Sequence, residues 1–348
     1  MLNRMHDLLK NDAIRVIENV DLTPLNNKSI LITGATGIIG VNLVASLGAL
    51  CELGNGPSKV VCAAHSPMTS LVDTVFDFPE ATVVSGDLSE GIDFLRNHGP
   101  FDYIIHAAGY GQPGKFMADP VKTLQLNTSC TLALFDILNS QGSFLFISTS
   151  EVYSGLVKSP FKETQIGSTN TDHPRGCYIE AKRCGEAICN AQSTRGFSAR
   201  SARVALAYGP GTKKNDHRVL NQFIQRALKD GAIRLQDLGE AKRTYCYVSD
   251  TVEILWNIML YGEKSIYNVG GESRTTIGEL AKLIGKITDV NVEFPEAEKD
   301  MSDAPEDVSL DMALVSDEFG KSCYVDLNDG LRATVSYQDI LYSDYSEA

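Results

Sequence analysis

Ser29-Ile30-Leu31-Ile32-Thr33-Gly34-Ala35-Thr36-Gly37-Ile38-Ile39-Gly40 is the stretch on which the reading of this chain turns. Its first five residues are apolar and β-branched enough to form a buried strand. The glycines then allow a tight turn, and the apolar run from Ile38 to about Leu50 reads as a helix. Glycine at these points lets the backbone approach a phosphate and lets helix and strand pack closely. The helix N-terminus offers amide hydrogens to a pyrophosphate. Gly34, Thr36, Gly37, Ile38 and Ile39 are therefore candidate contacts of a bound dinucleotide.

Outward from this turn the pattern repeats. Strands are expected at Lys59 to Ala63, Ala81 to Val84, Asp102 to His106, Ser143 to Ser148 and Ala199 to Ala205. Helices are expected near Pro120–Asn139 and Tyr178–Ser193. Alternation of this kind predicts an α/β fold with a doubly wound parallel sheet covered on both faces. After Tyr208-Gly209-Pro210-Gly211 the pattern becomes mixed, with helices over Arg218–Lys229, Ser249–Tyr261 and Ile277–Ile287. The strand-like Ile266–Val269 is expected to return to the main sheet. The expected organisation is an N-terminal extension (1–27), a dinucleotide-binding domain (28–205) and a smaller mixed α/β substrate domain (206–348) interleaved with it.

The chain of 348 residues carries a formal net charge of −13. That balance argues against nucleic acid as a partner, which needs a basic face. An anionic ligand must be held by local positive groups against an unfavourable background. No apolar run is long enough to span a bilayer, and residues 1–27 lack the pattern of a secretory signal. Those residues read as a short amphipathic helix packed on the domain or a flexible lead-in. The eight cysteines show no metal-like spacing and are expected to be buried, reduced thiols of a cytoplasmic protein, with no metal site.

Tyr178 and Lys182 lie one helical turn apart. A phenol with an ordinary pKa near ~10 is a poor base, and a neighbouring ammonium would favour its phenolate. Thr149 and Glu151 end the strand at Ser148, where ligands bind in open α/β sheets. Thr149 is a candidate donor to a substrate oxygen and Glu151 a candidate acid or base. Asp87, in Gly86-Asp87-Leu88, is a candidate adenine contact. His106-Ala107-Ala108-Gly109 offers small residues against which a dinucleotide can lie. The second strand runs into Cys62-Ala63-Ala64-His65-Ser66, with neither a ribose-binding acid nor a phosphate-binding arginine, which favours NAD mildly over NADP. Arg218 and Arg243 are candidate grips on a diphosphate.

Together these residues resemble the extended short-chain dehydrogenase/reductases of the NAD-dependent epimerase/dehydratase family, whose first domain is Rossmann-type. The resemblance runs from about Lys28 to Tyr337 and includes Asn127, Tyr208-Gly209-Pro210, Tyr247-Val248-Ser249-Asp250 and Asn268-Val269-Gly270. Three stretches are most similar to UDP-glucuronate decarboxylases: Thr149–Tyr153, His173–Arg183, and Asn215–Val219 with Phe223-Ile224. The resemblance implies NAD held by Gly34, Thr36, Gly37, Ile38, Ile39, Asp87, Leu88, Ala107, Ala108, Asn127, Tyr178 and Lys182. It implies a nucleotide sugar held by Ser150, Arg218 and Arg243, catalysis by Thr149, Glu151, Tyr178 and Lys182, and a homodimer formed through helices near Pro120–Asn139 and Tyr178–Ser193. Leu124, Leu132, Ala187 and Ala191 are the candidate apolar residues of that face. The chain departs from the group at Leu206, at Gly211, where the decarboxylases carry arginine, and at Ala304-Pro305, where an arginine is expected. The expected chemistry is decarboxylation of a UDP-uronic acid through a transient 4-keto sugar. The alternatives are 4,6-dehydration or 4-epimerisation and, more remotely, a non-catalytic nucleotide-binding protein.

Overall fold

The computed structural model describes residues 2–65, 69–296 and 307–343; Ser66 and Ala304-Pro305 lie outside the described residues. Its strands are β1 (Ser29–Thr33), β2 (Lys59–Ala64), β3 (Ala81–Ser85), β4 (Phe101–His106), β5 (Leu138–Thr149), β6 (Ser198–Val204), β7 (Ala207–Tyr208), β8 (Ala232–Arg234), β9 (Lys242–Tyr247), β10 (Ile266–Val269), β11 (Ser273–Thr276), β12 (Asn291–Glu293) and β13 (Asp307–Val308). Among the described residues, a seven-stranded sheet has the order β10-β6-β5-β4-β1-β2-β3, parallel throughout. This is the Rossmann order with β10 added at one edge. Ile30, Leu31 and Ile32 are all fully buried, as expected of a strand covered on both faces. The order reverses between β1 and β4, so the crevice beyond Gly34 and Ala107 is where such sheets bind ligands.

The helix Ile38–Glu52 is buried round most of its circumference, at Val41, Leu43, Val44 and Leu47 among others. The sheet covers one side of it and the N-terminal helix Leu2–Asn19 the other. Met5, Leu9, Ala13 and Val16 form the buried stripe of that N-terminal helix, at the spacing of one helical face. Of the two readings of residues 1–27, the packed helix is the one found.

The N-terminal helix also carries charge into the core. Tyr247 donates to Asp12 at 3.0 Å. Nearby, the buried Lys321 ammonium bonds Asp250 at 2.9 Å and Glu253 at 2.8 Å. Burial pushes the Asp12 carboxyl up to about 7, with Asp250 adding to the rise and Tyr247 and Arg15 opposing it. The folded chain thus binds this proton more tightly than the unfolded chain, so the Asp12 contribution to stability falls as pH rises from about 4 to about 7. Asp12→Asn keeps an acceptor for Tyr247 and removes the titration. It should match the parent chain below pH ~4 and exceed it at pH 8 by on the order of 2–4 kcal/mol. Urea melts of both proteins across that range check this, and parallel curves would refute it.

One helix differs from expectation. Pro120–Asn139 is not continuous: it divides into Pro120–Asn127, Ser129–Leu134 and a short 3-10 turn, Phe135–Ile137. Thr128 and Ser129 turn their hydroxyls back onto the carbonyls of Leu124 and Gln125 at 2.8 and 3.1 Å, which bends a helix. Leu138 then pairs with Phe101 and opens β5, five residues before Ser143. The remaining strands build the smaller part of the molecule. There β9 pairs with β7, β11 and β13. The helix Val248–Tyr261 packs instead on the main sheet and on Ile38–Glu52, with Trp256 fully buried and its ring nitrogen donating to Ser46 at 2.9 Å.

Candidate active site

The glycine turn is fitted to its neighbours by lack of side chains. Gly34 has φ +66°, and a Cβ there would lie 2.6 Å from the Ala107 carbonyl oxygen. A Cβ on Gly40 would lie 2.3 Å from the Gly34 oxygen. Gly37 caps the following helix in extended conformation, so the first-turn amides of Ile38 and Ile39 point outward as an anion site.

Buried His106 fixes the opposite wall. Its Nε2 faces the Leu126 carbonyl at 2.9 Å, and its Nδ1 faces the Thr33 hydroxyl at 2.7 Å. A carbonyl only accepts, so Nε2 carries the proton and Nδ1 accepts from Thr33. The Thr33 oxygen in turn accepts from the Ala108 amide at 3.2 Å. Burial pushes His106 down to about 4, which keeps the ring neutral and this chain of bonds intact. It holds Ala107-Ala108 and the helix turn bearing Asn127 in fixed relation to β1.

Asn127 Oδ1 is buried and, among the described residues, accepts no hydrogen bond. A Cβ on Gly109 would lie 3.7 Å from that oxygen and 3.6 Å from Lys182 Nζ. An unmatched acceptor and a buried amine therefore flank one small space beside the glycine turn. Those residues fit a dinucleotide whose ribose hydroxyls would fill it. Asp87, beyond β3, accepts from Ser89 and from Lys122. Burial opposes ionisation there, but these donors prevail and hold its carboxyl down at about 2. Buried Leu88 lies beside it.

Tyr178 sits in the helix Gly176–Thr194, stacked on Phe116 with ring centroids 4.4 Å apart. The Thr149 hydroxyl hydrogen-bonds its phenol. Thr149 also caps a short turn, Ser150–Tyr153, by accepting from the Glu151 amide at 3.3 Å. Arg175 bonds the Glu151 carboxylate and lies 5.8 Å from the Phe116 ring centre. Burial raises the Glu151 carboxyl, opposed by the charges of Arg175, His173 and Arg243. Arg218 acts on Tyr178 and, with Arg243, on Tyr245. Thr149, Glu151, Tyr178, Arg218 and Arg243, scattered in sequence, thus share one field at the end of β5, with Ser150 between Thr149 and Glu151.

The expected phenolate requires correction. Burial pushes the Tyr178 phenol up to about 12; Thr149, Arg175 and Arg218 pull the other way, and Glu151 adds to the rise. The nearby Lys182 does not offset that burial. Its ammonium donates to the Ile147 carbonyl at 2.7 Å and lies 5.9 Å from the Tyr178 ring centre. Burial lowers Lys182 to about 7, with Glu186 opposing. Helical spacing brought the two residues together, but desolvation dominates both groups. Arg175 was not singled out from the sequence, although it stands three residues before Tyr178. Its signal was an arginine beside the tyrosine on the approach to the helix.

A Rossmann sheet, a glycine turn matched to a dinucleotide and a buried tyrosine–lysine pair beside a threonine define a nucleotide-dependent enzyme of the short-chain dehydrogenase/reductase type. The model of the NAD dependent epimerase/dehydratase family matches residues 30–270, and the chain belongs to that family. Its cofactor is accordingly NAD. The chain is 30% identical over 311 residues to UDP-glucuronic acid decarboxylase 6 of Arabidopsis thaliana, covering 88% of this chain and 87% of the relative. It is 31% identical over 328 residues to UDP-glucuronic acid decarboxylase 1 of Danio rerio, covering 91% and 74%. Among solved structures, UDP-glucose 4-epimerase of Thermotoga maritima with UDP-glucose superposes with a TM-score of 0.75 at 24% identity, over 90% of this chain and 99% of that one. Among the described residues no helix is long and apolar enough to cross a membrane.

Proposed function

We propose that this chain decarboxylates a UDP-linked uronic acid by way of a transient 4-keto sugar. The observation that carries the reading is the cluster of Arg175, Arg218 and Arg243 around Glu151 and Tyr178. Arg175 is paired with Glu151 and Arg218 with Asp216, so in a chain of net charge −13 a diphosphate or a sugar carboxylate would bind here by sharing guanidinium groups that now face those two carboxylates. The proposed division gives residues 28–205 the cofactor and residues 206–348 most of the substrate, apart from β10.

NAD would be held by Gly34, Thr36, Gly37, Ile38 and Ile39 at the turn, Asp87 and Leu88 at the adenine end, and Ala107, Ala108, Asn127, Tyr178 and Lys182 at the nicotinamide end. When bound it supplies a reversible hydride acceptor. The Tyr178 phenol is protonated at rest, so as its oxygen takes the proton of the sugar 4-hydroxyl its own proton passes to the neutral amine of Lys182, held near 7; both transfers reverse when hydride returns to C4 and the 4-ketone is reduced. Thr149 steadies the negative charge that develops on the 4-oxygen. As the C5–carboxyl bond breaks, its electron pair moves to that oxygen as an enolate. Glu151, raised by burial, takes up a proton from solvent and delivers it to C5.

The test is incubation with a panel of UDP-, GDP-, CDP- and dTDP-sugars, read by product mass. Loss of carbon dioxide from a UDP-uronic acid is expected. Loss of water would assign a 4,6-dehydratase, and no mass change with a new isomer an epimerase. Bound cofactor with no product from any sugar would leave a nucleotide-binding protein.

The proposal includes a homodimer in the cytoplasm. Leu124, Leu132, Ala187 and Ala191 are exposed, with Val121, on the three helices Pro120–Asn127, Ser129–Leu134 and Gly176–Thr194, which pack together. An apolar face of this kind suits a second copy. Eight unpaired cysteines, two of them (Cys184 and Cys323) exposed rather than buried as expected, suit a reducing compartment. Leu124→Glu is expected to convert a dimer to a monomer in sedimentation, and a monomeric parent chain would refute the dimer.

A further inference from the structure

Lys213 stands beside the glycine turn, on a segment held by one hydrogen bond from a neighbouring helix and two of its own. Asn42 donates to the Pro210 carbonyl at 2.9 Å, tying the segment to the helix that the turn opens. Thr212 donates to the Gly209 carbonyl at 2.8 Å and is nearly fully buried. The Asp216 amide donates to the Lys213 carbonyl at 3.0 Å. From this frame the Lys213 ammonium reaches the Thr36 hydroxyl at 3.1 Å. Position 211 has no room for a cation of its own. Gly211 has φ +94°, and a Cβ there would lie 2.6 Å from Val41 Cγ1 and 2.9 Å from Asn42 Nδ2, with Leu9 of the N-terminal helix 3.6 Å away.

The electrostatic setting is unusual for a lysine in so acidic a chain. Burial lowers the Lys213 ammonium, and the further charge acting on it is that of Lys115, another cation. Lys115 comes from the neighbouring segment that meets this one where the His217 amide donates to Gln112 at 3.2 Å. Among the described residues no carboxylate is in ion-pair range of Lys213. Two lysines from different segments therefore converge without an acid between them, one of them bonded to the turn whose amides already point at an anion.

We propose that Lys213 is a cationic clamp on a diphosphate, namely the diphosphate bridge of the dinucleotide, reaching it from beside Thr36 at the Gly34–Gly40 turn. The inference rests on NAD lying across that turn. A thousandfold preference is not expected of one partly exposed ammonium, but a charge-assisted bond to phosphate is worth about tenfold or more in affinity.

The experiment titrates the parent chain, Lys213→Met and Lys213→Arg with NADH, following fluorescence of the buried Trp256, and uses ADP, adenosine and UDP-glucose as competitors. Lys213→Met keeps the aliphatic stem and should raise the Kd for NADH and for ADP about tenfold or more. Adenosine and UDP-glucose should bind as before, and Lys213→Arg should bind NADH nearly as the parent does. The salt dependence of NADH binding should be shallower in Lys213→Met. An unchanged NADH Kd in that variant overturns the clamp while leaving the cofactor reading intact. A loss confined to UDP-glucose also overturns it, by assigning the lysine to the sugar nucleotide. A parent chain that binds no NADH sinks the cofactor reading and the clamp together.

Discussion

Tyr178→Phe is expected to lower turnover about 10³- to 10⁴-fold while NADH binding changes less than about threefold. The substitution keeps the ring, so the stack on Phe116 at 4.4 Å survives and the helix Gly176–Thr194 keeps its packing. What disappears is the oxygen that hydrogen-bonds Thr149 and lies in the field of Arg175 and Arg218. Loss of one buried, partnered hydroxyl costs stability only about 1 kcal/mol, so a folded, cofactor-competent protein should remain. Parallel measurement of kcat, NADH Kd and thermal midpoint separates these effects. Turnover near the parent value would remove Tyr178 from the chemistry.

Glu151→Gln is expected to lower turnover about 10²- to 10³-fold in a different manner. Here Tyr178 and Thr149 are untouched, so the sugar 4-hydroxyl can still be deprotonated. The amide cannot return a proton to C5. With a UDP-uronic acid, absorbance of the reduced cofactor should therefore build up and decay slowly, a signature absent from Tyr178→Phe. The amide also leaves Arg175 without its carboxylate partner, so the KM for an anionic sugar should fall or hold rather than rise. A variant with normal turnover, or one silent in both assays, would place Glu151 in a role other than proton donor.

The fold was legible because its signals are local. The strand–glycine–helix stretch, the apolar runs of β2, β4 and β5, and the helix at Tyr178 follow from periodicity and turn chemistry within a dozen residues. The helix expected to reach Asn139 failed on a local competition that periodicity does not register, the back-bonding of Thr128 and Ser129. The site was legible as a set of residue types, and Thr149, Glu151 and Tyr178 do meet. Their protonation was not legible, because it depends on burial that no spacing encodes. Lys182 at about 7 and Tyr178 at about 12 are products of the packed interior. Lys213 escaped notice for a related reason. Its meaning comes from Asn42 and Thr36, more than a hundred residues away in sequence.

The most direct measurement uses UDP-glucuronic acid carrying deuterium at C4 in ordinary water, with the product examined by mass and by nuclear magnetic resonance. The account predicts a UDP-pentose that has lost carbon dioxide, retains deuterium at C4 and has gained a solvent-derived proton at C5. Decarboxylated product whose C4 deuterium has washed out into water, or intact substrate beside a fully NAD-loaded protein, would contradict it.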